Sequence, residues 1–177
     1  MTTTTQGSKS ETGPATTKRE NAEHGFLASK SLTDDLQAVL VDLIELHIQG
    51  KQAHWNVVGH NFRDLHLQLD EIIEAGRAFS DEVAERMRAL HASVDGRTAT
   101  VAKTTTLKPF PDGEVDTAEV IDLITARLDA VVATARRVHD NVDEQDPTSS
   151  DLLHQIIARL EQFSWMVSAE NRKPAKR

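Results

Sequence analysis

Among the side chains between positions 54 and 85 that could hold a metal ion, five stand out by type and spacing: His54, His66, Asp70, Asp81 and Glu85, in the stretch "AHWNVVGHNFRDLHLQLDEIIEAGRAFSDEVAE". His66 and Asp70 are four residues apart, as are Asp81 and Glu85, a spacing that puts both members of a pair on one face of an α-helix. Imidazole nitrogens mixed with carboxylate oxygens suit Fe(II), Mn(II) or Zn(II) rather than soft Cu(I) or an all-oxygen calcium cage. A set that does not saturate its ion leaves positions for water or an oxidant. The chain has no cysteine, which excludes thiolate ligation, thiol nucleophiles and disulfides.

The two pairs cannot share an ion within one helix. Eleven residues separate Asp70 from Asp81, which returns them to within about 20° of a common face but sets them about 16 Å apart along the axis. Metal–ligand bonds are about 2 Å. If the chain folds back near His60, His54 comes opposite His66, so that His54, His66 and Asp70 form one half-site. Two copies of the helix running antiparallel across a two-fold axis would bring Asp70 of one chain toward Asp81 and Glu85 of the other, twice over. A plainer reading stands level with this one from spacing alone: acid pairs at helical spacing face solvent or meet Arg77 and Arg86, and a single histidine fills a core or a cap. His47, on the stripe of His54, reads as a buried, hydrogen-bonded side chain. Asp151-x-x-His154 is a further ligand-spaced pair, and the Glu-x-x-His of a site within one subunit does not occur.

Four segments with helical period must position these groups. The first opens at Ser31, with Asp34 completing a capping box, and carries Leu36, Leu40, Leu43, His47, Gly50, His54 and Val57 on one face. The second, capped by Asn61, runs through Leu65, Leu69, Ile72, Gly76, Phe79, Val83 and Met87. The third starts at Asp116 with Glu119 and buries Ile121, Ile124, Leu128, Val131, Ala135, Val138 and Val142. After a break at "DEQDPTSSD", read as a loop with Thr148 as the next cap, the fourth uses Leu153, Ile156, Leu160, Phe163 and Val167. No segment alternates as a strand would, and five Phe, two Trp and no Tyr leave little to build a sheet. Short links after the first and third helices make those neighbours antiparallel. The long link over residues 91–115 crosses the bundle, with a short helix expected at 99–106. The fold class is therefore all-α, a ferritin-like four-helix bundle with one long crossover.

Residues 1–30 are poor in large apolar side chains and read as a flexible tail, residues 31–170 as the bundle, and residues 171–177 as a basic tail. Twenty basic against twenty-eight acidic side chains give a net charge of −8, so any DNA contact needs a local basic feature. Arg172, Lys173, Lys176 and Arg177 supply one. No run approaches the roughly 18 apolar residues of a membrane span. With no cysteine and no leader, a cytoplasmic location is expected.

"KQAHWNVVGHNF", "LHLQLD", "DEVAERMRALHA" and "LEQFSWMVSAEN" resemble the signature of the Dps family, the DNA-protection-during-starvation mini-ferritins. The resemblance covers roughly residues 31–170. It implies a hollow dodecamer built on two-fold dimers, which oxidises Fe(II) with hydrogen peroxide in preference to dioxygen, stores the ferric product and so protects DNA. It implies that His54, His66, Asp70, Asp81 and Glu85 bind iron between subunits, with zinc as a substitute ion. Trp55 would neighbour the iron as a redox-active ring, or else anchor the first two helices in the core. Lys51 would be a charge beside the ligands or a surface lysine. Asp146, Asp151 and Asp143 would line an acidic pore for iron, and the basic tails would meet DNA in the nucleoid. Two other readings compete: a DNA-binding nucleoid architectural protein with a structural or vestigial metal site, and a non-enzymatic bundle holding zinc or nothing.

Overall fold

The structure is a computed structural model that describes Met1 and residues 25–174. Its described residues form five helices and one minimal strand pair: α1 (Lys30–Asn56), β1 (Val57–Val58), α2 (Phe62–Ala89), α3 (Thr98–Thr104), β2 (Val115–Asp116), α4 (Thr117–Gln145) and α5 (Pro147–Ala169). Helix α1 pairs with α2, α4 pairs with α5, and α1 packs on α4. This is the ferritin-like bundle, with α3 riding on the crossover.

The apolar stripes become the core. Leu36, Leu40, Leu43, Leu65, Leu69, Ile72, Ile124, Leu128, Leu153, Leu160 and Phe163 are all buried in one cluster. Glycines set the distance between α1 and α2. A Cβ at Gly50 would come within 3.0 Å of Ile73 Cγ1, and one at Gly76 within 3.3 Å of the His47 Cβ. That close approach is what brings the facing ends of His54 and His66 together.

The helix boundaries differ from the sequence expectation at the start of α1 and between α4 and α5, while Asn61 is the N-cap of α2 as expected. Helix α1 is capped by Ser29, whose Oγ accepts from Leu32 N at 3.1 Å, two residues before Ser31. Asp34 instead pairs with Lys30 one turn away, so the expected box partner is taken by an adjacent cation. Asn61 precedes α2 in the left-handed conformation, with φ 58°, and caps without a side-chain hydrogen bond. Between α4 and α5 there is no loop at all: Asp146 alone ends one helix and occupies the N-cap of the next, and Pro147 rather than Thr148 opens α5. Proline is preorganised for that first helical position and has no N–H to leave unpaired. Asp116 does cap α4, accepting from Ala118 N at 2.9 Å.

The strand pair was not expected. Val57 pairs with Val115 and Val58 with Asp116 in parallel, which ties the α1–α2 turn to the start of α4. Two residues are too few to show alternation. Gly59, with φ 120°, lies so close to this junction that a Cβ would sit 2.9 Å from Asp116 Oδ2.

The crossover is held by buried polar groups. Asp42, fully buried in α1, accepts from Thr105 Oγ1 (2.9 Å), Thr106 N (2.7 Å), Thr106 Oγ1 (2.7 Å) and Thr134 Oγ1 (2.7 Å). Arg127 of α4 donates to Gln49 Oε1 (3.0 Å) and to the carbonyls of Lys108 (3.1 Å) and Pro109 (2.8 Å). These bonds satisfy carbonyls that an irregular segment lying on a core would otherwise leave unpaired.

Candidate metal centre

His54 is in the last turn of α1 and His66 is one turn into α2, so the tight turn between them sets the two rings face to face. Their centroids are 3.6 Å apart with an interplanar angle of 29°. His66 Nδ1 lies 3.1 Å from the His54 carbonyl oxygen. Donation of Nδ1–H to that carbonyl fixes the tautomer and leaves the His66 Nε2 lone pair free. Asp70, one turn after His66, puts Oδ2 3.0 Å from His54 Nε2. Ligand atoms of His54, His66 and Asp70 all lie within 4.8 Å of one another. No other group of three or more such residues occurs among the described residues.

The environment fits a cation. His54 is 9% exposed, and neither of its ring nitrogens has an aligned hydrogen-bond partner among the described residues. Buried polar atoms are ordinarily paired, whereas among these residues Nδ1 of His54 has no partner and Nε2 has only the poorly aligned contact with Asp70. Lys51 Nζ donates to Asp70 Oδ1 at 3.0 Å. That hydrogen bond, with lesser help from His54 and against the pull of desolvation, holds the Asp70 carboxyl below the usual carboxylate range. Asp70 is thus anionic and ready to ligate at neutral pH, with an ammonium on its other oxygen.

Asp81 and Glu85 are on α2 and exposed, and neither makes an ion pair among the described residues. The plainer expectation paired them with Arg77 or Arg86. Arg86 instead crosses to the α4–α5 junction, where Nη2 donates to Asp146 Oδ2 at 2.7 Å and Nε to Ser149 Oγ at 3.1 Å. One chain therefore assembles three of the five proposed ligands and leaves two on the outer face of α2.

The remaining sequence-derived candidates separate. Trp55 is 70% exposed beside His54, which excludes it as a core anchor of α1 and α2 within the chain. Asp146 is buried and bonded to Arg86 and Ser149. Burial would raise its pKa, but the hydrogen bonds from Ser149 and Arg86 outweigh that and lower it. This makes Asp146 a junction residue and not a free pore carboxylate, whereas Asp143 and Asp151 are exposed. Arg172 and Lys173 are exposed past α5, and Lys176 and Arg177 lie outside the described residues, as does most of the N-terminal tail. His47 is half-buried, and burial followed by Arg77 lowers its pKa. Asp42, the Arg127–Gln49 pair and the contact of His139 with His154 were not singled out from sequence as working groups.

A ferritin-like domain model matches residues 33–175. The chain is 36% identical over 143 residues to DNA protection during starvation protein 2 of Deinococcus radiodurans, covering 79% of this chain and 58% of that one. It is 33% identical to the DNA protection during starvation protein of Mycolicibacterium smegmatis, covering 80% of this chain and 77% of that one. The chain belongs to the Dps family. Among solved structures, it is similar to a Dps from Deinococcus radiodurans, with a TM-score of 0.77, 35% identity, and 79% and 85% of the two chains covered. A Dps from Microbacterium arborescens in its high-iron form gives 0.78 at 29% identity, covering 84% of this chain and all of that one. The chain spans about three-fifths of the length of the first of these relatives, 58%. Among the described residues of this Dps chain, no helix is long and apolar enough to cross a membrane.

Proposed function

We propose that this chain is a ferroxidase and iron store, a cytoplasmic homo-oligomer built from two-fold dimers and closed into a hollow dodecamer. The observation that carries this reading is His54: a buried imidazole, stacked on His66, whose Nδ1 has no partner among the described residues and whose Nε2 faces the anionic carboxylate of Asp70. Iron is the substrate. His54, His66 and Asp70 of one chain, with Asp81 and Glu85 of the two-fold neighbour, bind Fe(II), and the carboxylates balance the added charge as iron becomes ferric. Zinc competes for the same donors.

Each peroxide takes two electrons, one from each of two ferrous ions, and its O–O bond breaks. With two waters the products are two units of ferric oxyhydroxide and four protons. Dioxygen is the slower oxidant. Trp55, exposed next to His54, would supply the second electron when peroxide meets a single ferrous ion, releasing its indole proton as it becomes a neutral radical. Asp143 and Asp151 remain as pore carboxylates, and the mineral accumulates inside. Removal of iron and peroxide together suppresses hydroxyl-radical damage to DNA.

Exposed apolar side chains support the assembly. Ile48, Trp55, Phe62, Leu67, Trp165 and Met166 are each at least 40% exposed in the single chain. An isolated exposed apolar residue needs no explanation, but two tryptophans and four large aliphatic or aromatic neighbours in one chain favour subunit contacts. Direct DNA contact is a second role for the exposed Arg172 and Lys173 with the two basic residues that follow. Repeated on every subunit, these tails bind phosphate multivalently and lose affinity steeply with salt.

The test is peroxide-dependent Fe(II) oxidation by the wild type against a His66→Ala, Asp70→Ala variant. The variant is expected to lose the fast phase. Equal rates would remove these residues from the reaction.

A further inference from the structure

Between Asp70 and Glu85, α2 carries six acidic side chains and a single basic one, Arg77. Two copies of such a face repel unless cations meet the acids. At the ends of the stretch, metal bound with His54 and His66 supplies that charge. At the centre are Glu74 and Arg77, both exposed. They are one turn apart on one helix, yet neither side chain is in an ion pair among the described residues. Three open recesses run along this face; Glu74 borders all of them and Arg77 borders two. The neighbouring side chains of Ala75 and Ala78 are small and leave room for a second helix.

We propose that Glu74 pairs with Arg77 of a second copy of this chain, and Arg77 with Glu74 of that copy, and that this reciprocal ion pair sets the register of the iron site. The register rests on the reading above, in which Asp70 and Asp81 of two chains share an ion. On antiparallel helices that contact puts the two-fold axis between Ala75 and Gly76, midway between the two aspartates. The same midpoint divides His66 from Glu85, and Glu74 from Arg77. One placement of the axis therefore gathers the ligands around the ion and sets cation against anion at the centre. Moving the axis by one residue along α2 would set Glu74 opposite Ala75 or Phe79 of the neighbour and leave both charges unmatched.

The central pair is better placed than the ligands to fix this register. Glu74 and Arg77 are each about 2 Å from the axis along the helix, whereas Asp70 and Asp81 are each about 8 Å from it. Residues so near the axis stay opposed at any angle at which the helices cross. Helix axes about 8–10 Å apart leave facing Glu and Arg side chains within reach of each other. A guanidinium can meet a carboxylate through two parallel hydrogen bonds, so the pair fixes orientation as well as distance. Glu74 and Arg77 touch no ligand of the ion in this scheme. They are positioning residues, acting on iron through the alignment of the two helices.

Charge reversal in the full-length protein is the test. Glu74→Arg gathers four guanidinium groups at the axis, and Arg77→Glu gathers four carboxylates. Each variant alone should assemble poorly and oxidise Fe(II) roughly tenfold or more below wild type. Refolded together in equal amounts, they should regain assembly and oxidation, because a mixed two-fold pair sets Arg against Glu on both sides. Each variant chain holds two like charges, so mixing cannot restore a pair made within one chain. Native mass spectrometry of the mixture should show assemblies clustered at equal numbers of the two chains, and not the spread of random mixing. Should a reversed chain misfold by circular dichroism, Glu74→Gln with Arg77→Gln removes the charges without repulsion and should dissociate on dilution at roughly tenfold higher concentration than wild type. Reversed chains that behave as wild type, a mixture of folded chains no better than either alone, or a glutamine variant as resistant to dilution as wild type would overturn the proposal. Assembly is read without iron. If mixing restores assembly while the wild type oxidises no Fe(II), the pair stands and the reading of the metal centre falls. If the wild type oxidises Fe(II) and charge reversal changes nothing, the centre stands and the pair falls.

Discussion

His54 and His66 stack at 3.6 Å although they belong to different helices, and the His54 main-chain carbonyl is itself the partner of the His66 ring nitrogen. One histidine thus orients the other through its backbone carbonyl. The consequence is a half-site whose three ligand side chains are already gathered within one chain. The α1–α2 turn is tied by the β1–β2 pair, and the two helices are drawn close at Gly50 and Gly76. Preorganisation of this kind spares the binding step the entropy of fixing side chains.

Lys51 competes with metal for Asp70. Its ammonium donates to Asp70 Oδ1 at 3.0 Å, yet its side chain is 35% exposed and that of Asp70 48%. A bridge this exposed stabilises the fold by less than about 1 kcal/mol. Lys51→Ala should therefore leave the melting temperature nearly unchanged and raise Zn(II) affinity at pH 7 by about fivefold, the equivalent of ~1 kcal/mol released from the ion pair. Calorimetric titration of both proteins in the same buffer checks this. Weaker zinc binding in the variant would mean that the lysine helps to hold the site instead of competing for it.

Much of this architecture is legible in the sequence because helical period repeats over many residues. Every position of the α4 stripe, from Ile121 to Val142, and every position of the α5 stripe, from Leu153 to Val167, is buried as the spacing requires. Features that rest on single residues are the ones that escape. Ser29 caps α1 in place of Ser31, and Asp34 pairs with Lys30. Asp146 looks like part of an acidic loop, and only its distance to Arg86, sixty positions earlier, makes it a junction. Asp42 breaks the apolar face of α1, and no local pattern reports that three threonines from two distant segments converge on it. The His54–His66–Asp70 group was legible because helix geometry alone fixes two of its three members. Trp55 was not, because exposure depends on what packs against a helix and not on its period.

Asp42 should be the most costly polar residue to remove. Asp42→Ala leaves the Thr106 N–H and three hydroxyls without their acceptor in a buried setting, which costs about 3 kcal/mol. Asp42→Asn retains one carbonyl acceptor and should lose less. Chemical denaturation of the two variants, with hydrogen exchange on the crossover, gives the order. The first exchange protection to be lost should be at Thr105 and Thr106 and not in α2.

The Arg86–Asp146 junction makes a prediction about acid. The Asp146 pKa is lowered because hydrogen bonds from Ser149 and Arg86 outweigh its desolvation. A carboxyl whose folded pKa lies below its unfolded value, about 3.9, stabilises the fold fully above that value. The contribution fades as pH falls through the lower folded pKa. Asp146→Asn should thus be less stable than wild type at pH 7, and the gap should close below about pH 4. Arg86→Ala should show the same closure. A gap that stays constant between pH 7 and pH 3 would mean that packing, and not charge, carries the junction.

The two-fold arrangement can be tested by complementation. A chain with His66→Ala and Asp70→Ala lacks one half of every site it would form with itself, and a chain with Asp81→Ala and Glu85→Ala lacks the other. Neither homodimer has an intact site. A heterodimer of the two has one site with both halves damaged and one with both halves whole, because the first chain still offers Asp81 and Glu85 and the second still offers His54, His66 and Asp70. Random reassembly of an equal mixture makes half the dimers mixed, each with one working site of two, so about a quarter of wild-type Fe(II) oxidation should return. If all five residues met within a single chain, each variant chain would be defective by itself and mixing would restore nothing. The recovered fraction after co-refolding, set against the same proteins refolded separately and then combined, distinguishes the two arrangements.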